Sequence, residues 1–191
     1  MAKIIDFMAG RRRAEGPPGL AAVLEPERPP ASPLFFNVRS FACSAGVHTL
    51  QFGFVDAQAN VVFSAFADWP TKAAAEGPAP PPRLSVAPLD AETARRMLDA
   101  VCRRADLVGF HRVLQGGLLP LGAVRSAASL TCVWRRVQDA AKSHRLCRSG
   151  ERPITLNAAL RLAGLGPLES DDAVVRALAV RELWLWLDRL G

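Results

Sequence analysis

Three runs early in the chain carry apolar residues at strand spacing: LFFNVRSFA from Leu34, HTLQFGFVD from His48 and NVVFSAFAD from Asn60. In the second, Leu50, Phe52 and Phe54 alternate with less apolar neighbours, and DAQAN (Asp56–Asn60) supplies turn formers before the third, so this pair predicts an antiparallel hairpin. Together the three runs predict a meander whose first strand, FFNVRSF, is apolar enough to be buried. The Pro-rich EGPAPPP at Glu76 to Pro82 predicts a surface loop, because consecutive prolines cannot pair in a sheet.

The period then changes. LDAETARRMLDAVCRRA places Thr93, Met97, Ala100, Val101 and Arg104 at helical spacing, with Asp90 and Glu92 at the favourable amino end. A short strand follows in DLVGF. HRVLQGGLLPLGAV predicts a helix weakened by Gly116 and Gly117 and ended near Pro120. SLTCVW predicts a strand running into the helix RRVQDAAKSH, and TLNAALRLAGL a compact helix closed by Gly164 or Gly166. Ser170 is the expected N-cap of the last helix, which carries Asp171 and Asp172 in its first turn and runs to about Leu190. Trp184 and Trp186 are two apart on it and face different sides, so one is expected at the surface or at an interface.

Before the first strand, GRRRAEGPPGLAAVLEPERPPASP (Gly10 to Pro33) is rich in Pro, Gly and charge and lacks an apolar period. Residues 1–33 are therefore expected to form a flexible arm, and 34–191 one folded domain. The patch Ile4, Ile5, Phe7 and Met8 is either a loose chain start or a docking motif for a partner or for the domain's own surface.

Composition changes the picture only modestly. The 191 residues are half apolar and carry a formal charge of +6, which permits a polyanionic partner without requiring one. Cys43, Cys102, Cys132 and Cys147 are far apart and without CxxC spacing, as expected of cytosolic thiols. His144 and Cys147 have a spacing that zinc uses, but Cys132 is the only further ligand in view, so no metal is assigned. No apolar run is long enough for a membrane span, and the arginines of MAKIIDFMAGRRR follow the apolar patch, the reverse of a secretory signal. A cytoplasmic location with no membrane partner is expected.

The order of elements resembles the ribonuclease H-like α/β fold, and more narrowly the DEDD-type 3′-to-5′ exonucleases, which include bacterial polymerase proofreading subunits, ribonuclease T and oligoribonuclease. Four stretches between Leu34 and Leu190 carry the resemblance. FFNVRSFACSAGVHTLQFGFVDAQANVVFSAF is similar to the family's first block, where a strand bearing Asp-x-Glu precedes a hairpin. LVGFHRVLQGGLLP is similar to the V-G-H-N-x-x-F-D block. SLTCVWRRVQDAA with ITLNAALRLAGL resembles the strand and helices that follow, and DDAVVRALAVRELWLWL the last block, where His-x4-Asp precedes an apolar helix.

Active members hold two divalent ions, about 4 Å apart, on four carboxylates, with a His as general base. By this resemblance the first Asp falls on Asn37, the Glu on Arg39 and the second-block Asp on Gln115. One register of the last block puts the His on Asp171 and the Asp on Arg176. A rival register aligns Asp-Ala with Asp172 and Ala173. In either, at least three of the four metal-ligand positions lack a carboxylate. Asn and Gln offer only a neutral carbonyl oxygen and Arg repels a cation, so the resemblance implies no catalytic residue, no metal and no cofactor.

Two readings of the altered site stand side by side. Arg39 pairs with Asp171 or Asp172 and fills it, or Arg39 and Arg176, with His111 and Arg112 at the rim, hold phosphates of a single-stranded nucleic acid. The expectation is a catalytically inactive exonuclease-like binding module in bacterial nucleic-acid metabolism. A protein-interaction adaptor acting through the arm is the alternative, and an active exonuclease with a rearranged metal site a third.

Overall fold

The structure is a computed structural model that describes residues 32–41, 47–70, 87–111, 115–144 and 155–191. It is an α/β domain with one mixed sheet in the order β3-β2-β1-β4-β5. β1 (Pro33–Phe41), β2 (Val47–Val55) and β3 (Val61–Pro70) form the expected antiparallel meander. β4 (Asp106–Gly109) and β5 (Ser129–Cys132) extend the sheet in parallel from the other edge of β1. Asp56 shapes the hairpin turn, its carboxylate accepting from the backbone nitrogens of Gln58 and Asn60.

Helices cover both faces, which is why β1 reads as a nearly unbroken apolar run. On one face Leu34, Phe36 and Val38 of β1 join Leu50, Phe52 and Phe54 of β2 against α1 (Ala91–Cys102) and α2 (Leu121–Ser126). On the other, Phe35, Val55 and Val108 pack under α3 (Val133–Ser143), α4 (Leu156–Leu162) and α5 (Ala173–Leu190).

Several local expectations are corrected. α1 buries Ala94, Leu98 and Cys102, leaving Met97 and Val101 at the margin and Ala100 exposed. The face is thus rotated by one residue from the Thr93, Met97, Ala100, Val101 stripe, and Arg104 lies beyond the helix at φ +55°. Small side chains let the helix sit close to the sheet, and the bulkier ones flank it. Asp90 is the N-cap; hydrogen bonds from Thr93 and Glu92 hold its carboxyl below the ordinary value. That stabilisation is present above the ordinary carboxylate range and lost as pH falls through the lowered value.

Gln115 and Gly116 are helical and the helix stops at the glycines, short of Pro120, which itself precedes α2, a position where its missing N–H leaves no bond unmade. Val133 and Trp134 belong to α3, not to the strand before it. Gly164, at φ +70°, closes α4, and Gly166 has no such role. Asp172, not Ser170, caps α5: it accepts from Val174 N and Val175 N, while Ser170 Oγ accepts from Asp172 N. Asp171 and Asp172 therefore precede the helix. Trp184 and Trp186 are both half-buried against the α3–α5 core, Trp184 edge-on to Phe35, and the exposed residue is Leu185 between them. The arm (save for Ser32 and Pro33, the latter opening β1), the 76–82 loop, Cys43 and Cys147 fall outside the described residues. Among the described residues no helix is long and apolar enough to cross a membrane, and no group of three His, Cys, Asp or Glu side chains is placed to share a metal ion.

The amino end of α5 lies directly on β2 at Gly53, where any Cβ would collide with the carbonyl carbon of Ala173 and the nitrogen of Val174. Both partners are backbone and have no side chain to swing away. Gly53→Ala should therefore destabilise the domain by about 1–3 kcal/mol, read as a lowered urea midpoint at unchanged slope. An unchanged midpoint would mean that α5 does not press on the sheet there.

Candidate functional site

β4 pairs with β1 only as far as Phe36 opposite Gly109. Beyond that point β1 runs on with one open edge, and the crevice outside the carboxyl ends of parallel strands is where open α/β sheets offer a site. Odd-numbered residues of β1 here face α5, and so do their cross-strand partners on β2: Asn37 lies opposite Gly53, Arg39 opposite Gln51 and Phe41 opposite Thr49. Asn37, Thr49 and Gln51 are the buried polar side chains among the described residues, and all three fall in this one strip.

Gln51 organises it. Its amide nitrogen donates to Asp172 Oδ2 and its carbonyl oxygen accepts from Ala173 N at 3.2 Å, so one buried side chain binds both the cap and the first helical residue of α5. Thr49 Oγ1 donates to Asp68 Oδ1 at 2.9 Å across to β3. Asn37 is 1% exposed and its Oδ1 has no hydrogen-bond partner.

Pinning α5 at Gly53 and Gln51 brings its first turns over Arg39. Arg39 Nη2 lies 3.2 Å from Asp171 Oδ2, and Arg176 Nη1 lies 2.9 Å from Asp171 Oδ1. Two guanidiniums thus share the two oxygens of one carboxylate. The arginine side chains are 19% and 27% exposed, the aspartate 67%. The Arg39 guanidinium also sits over the Phe41 ring, 4.8 Å from its centroid, which fixes its direction.

Arg39, Asp171 and Arg176 are therefore in direct contact, with Asp172 and Asn37 joined to the same strip through Gln51 and Gly53. Gln115 plays a different part. Its Oε1 accepts from Val38 N at 2.6 Å, replacing the strand partner that β4 no longer supplies, so it seals the edge of β1 in the plane of the sheet. His111, at φ +56°, packs edge-on to Phe110 and lies 4.6 Å from the Trp134 ring. Arg112 lies outside the described residues. Gln51 and Gly53 are the participants that sequence reasoning misses; the available signal was two non-apolar residues inside HTLQFGFV, which an alternating pattern assigns to solvent.

Comparison with protein-family models, with curated proteins and with solved structures finds no match.

The two acidic residues should separate in mutation. Asp172→Ala removes the α5 cap and leaves the Gln51 amide unmatched, so it should lower stability by about 1–2 kcal/mol. Asp171→Ala breaks only an exposed pairing and should change stability by about 0–1 kcal/mol. Parallel urea titrations decide it: equal losses would contradict the division of roles between the two residues.

Proposed function

We propose that this chain is a catalytically inactive, exonuclease-like binding module of the ribonuclease H-like fold, recognising single-stranded nucleic acid at the end of β1. The observation that carries the reading is the convergence of Arg39 and Arg176 on a single anionic group at the end of the sheet. A planar guanidinium fork is the side chain best suited to a phosphate, and two of them aimed at one point form an anion site. Supporting the fold assignment is the order of elements, a meander followed by helix, strand, helix, strand and helices. Supporting the absence of hydrolysis is the chemistry of Asn37, Arg39 and Arg176, which between them offer a divalent ion one neutral oxygen and two positive charges.

A second reading, a protein-interaction adaptor that binds no nucleic acid, is favoured by a specific observation: the guanidiniums already have an anionic partner in Asp171. The N-terminal patch through which such an adaptor would dock lies outside the described residues.

Binding of a single-stranded oligonucleotide as a function of salt separates the two. A phosphate site should show affinity that falls as salt rises, with Arg39→Ala and Arg176→Ala each flattening the log–log slope by about 0.7 while the protein stays folded. No Mg²⁺- or Mn²⁺-dependent shortening of the oligonucleotide is expected. Undetectable binding at low salt would put the adaptor ahead, and metal-dependent degradation that disappears in Asp172→Ala would restore the nuclease reading.

A further inference from the structure

We propose that Asp171 is a displaceable internal substitute for a phosphate group: the chain closes its own Arg39–Arg176 anion site with a carboxylate, and a phosphate opens it by taking that place. The inference rests on the reading of this strip as a phosphate site and adds how the site is regulated.

The two arginines are the fixed members. Arg39 rises from the middle of the sheet with its guanidinium over Phe41, and Arg176 projects from a helix held to β2 at Gly53 and Gln51. Both guanidiniums are more buried than the carboxylate that joins them, so they keep their places when it moves. Asp171 is the movable member. It precedes α5, is mostly exposed, and takes no part in the cap, which Asp172 makes with Val174 N and Val175 N. Swinging it away breaks neither the helix nor its contact with the sheet. A carboxylate presents two oxygens to the two guanidiniums as a phosphate would, but it brings a single charge to two cations.

A second observation comes from the same face. One pleat back from Arg39, the buried Asn37 Oδ1 has no partner, so the protein does not fill the hydrogen-bonding capacity of its own strip.

The test uses the full chain with Asp171→Asn and Asp171→Ser, each checked for folding by thermal melting, and two probes: inorganic phosphate and a single-stranded oligothymidylate at low salt. Removing an exposed internal competitor should tighten binding of both probes roughly two- to fivefold in both variants. Adding Arg39→Ala to Asp171→Asn should cancel the gain. If phosphate binding tightens but no form of the protein binds the oligonucleotide, the self-closed anion site stands and the nucleic-acid reading falls. If the oligonucleotide binds wild type and variants equally, the nucleic-acid reading stands and the substitution of phosphate by Asp171 is overturned. Loss of stability with no gain for either probe overturns it as well, and makes Asp171 a structural lock.

Discussion

The amino end of α5 meets the sheet at the one position where β2 carries no side chain, and the placement of everything at the candidate site follows from that approach. Gly53 allows backbone to lie on backbone, and Gln51 next to it turns the contact into a defined register by binding both the cap and the first helical nitrogen. Because one amide satisfies two polar groups of α5, the helix cannot slide along the strand without leaving a buried donor or acceptor unmatched. Arg176 and Asp171 are then delivered over Arg39 as a consequence of that register.

The two faces of the sheet differ in what they tolerate. The α1–α2 face is filled by phenylalanines and leucines from all three meander strands and needs only volume and shape. The α5 face is apolar near β4 and becomes polar toward the end of β1, where Asn37, Thr49 and Gln51 are buried. A core strip built of polar groups is more demanding than an apolar one, because each must find its partner, and Asn37 Oδ1 shows that one does not. Here the strip lies beside two arginines, Arg39 and Arg176, that meet over one carboxylate.

The ion pairs themselves are weak in energetic terms, since Asp171 is largely exposed and water competes for it. Their significance is geometric. They record where the two guanidiniums point, toward one carboxylate at the end of β1.

Much of the fold was legible in the sequence, and particular residues show why. The alternation of Leu50, Phe52 and Phe54, the Asp56 turn and the apolar run at Leu34 specify strands through period and turn chemistry, which are local properties. That Asn37 and Arg39 put a neutral amide and a cation on the first strand was equally legible, because it depends only on residue type. The rotation of α1 onto Ala94, Leu98 and Cys102 was not, since several stripes on that helix are apolar enough and the neighbour it packs against makes the choice. Nor could sequence choose among Ser170, Asp171 and Asp172 as cap, all three being competent N-caps; Gln51, 121 residues away, binds Asp172 and so decides it. Gln115 serves the edge of β1, and no local pattern announces that role, because it arises where β4 stops short. Residue chemistry and local period thus determined the elements and the non-acidic character of the first strand, whereas the pairing of Arg39 and Arg176 with one carboxylate was decided by tertiary structure alone, since it depends on where a helix from the end of the chain crosses its first strand.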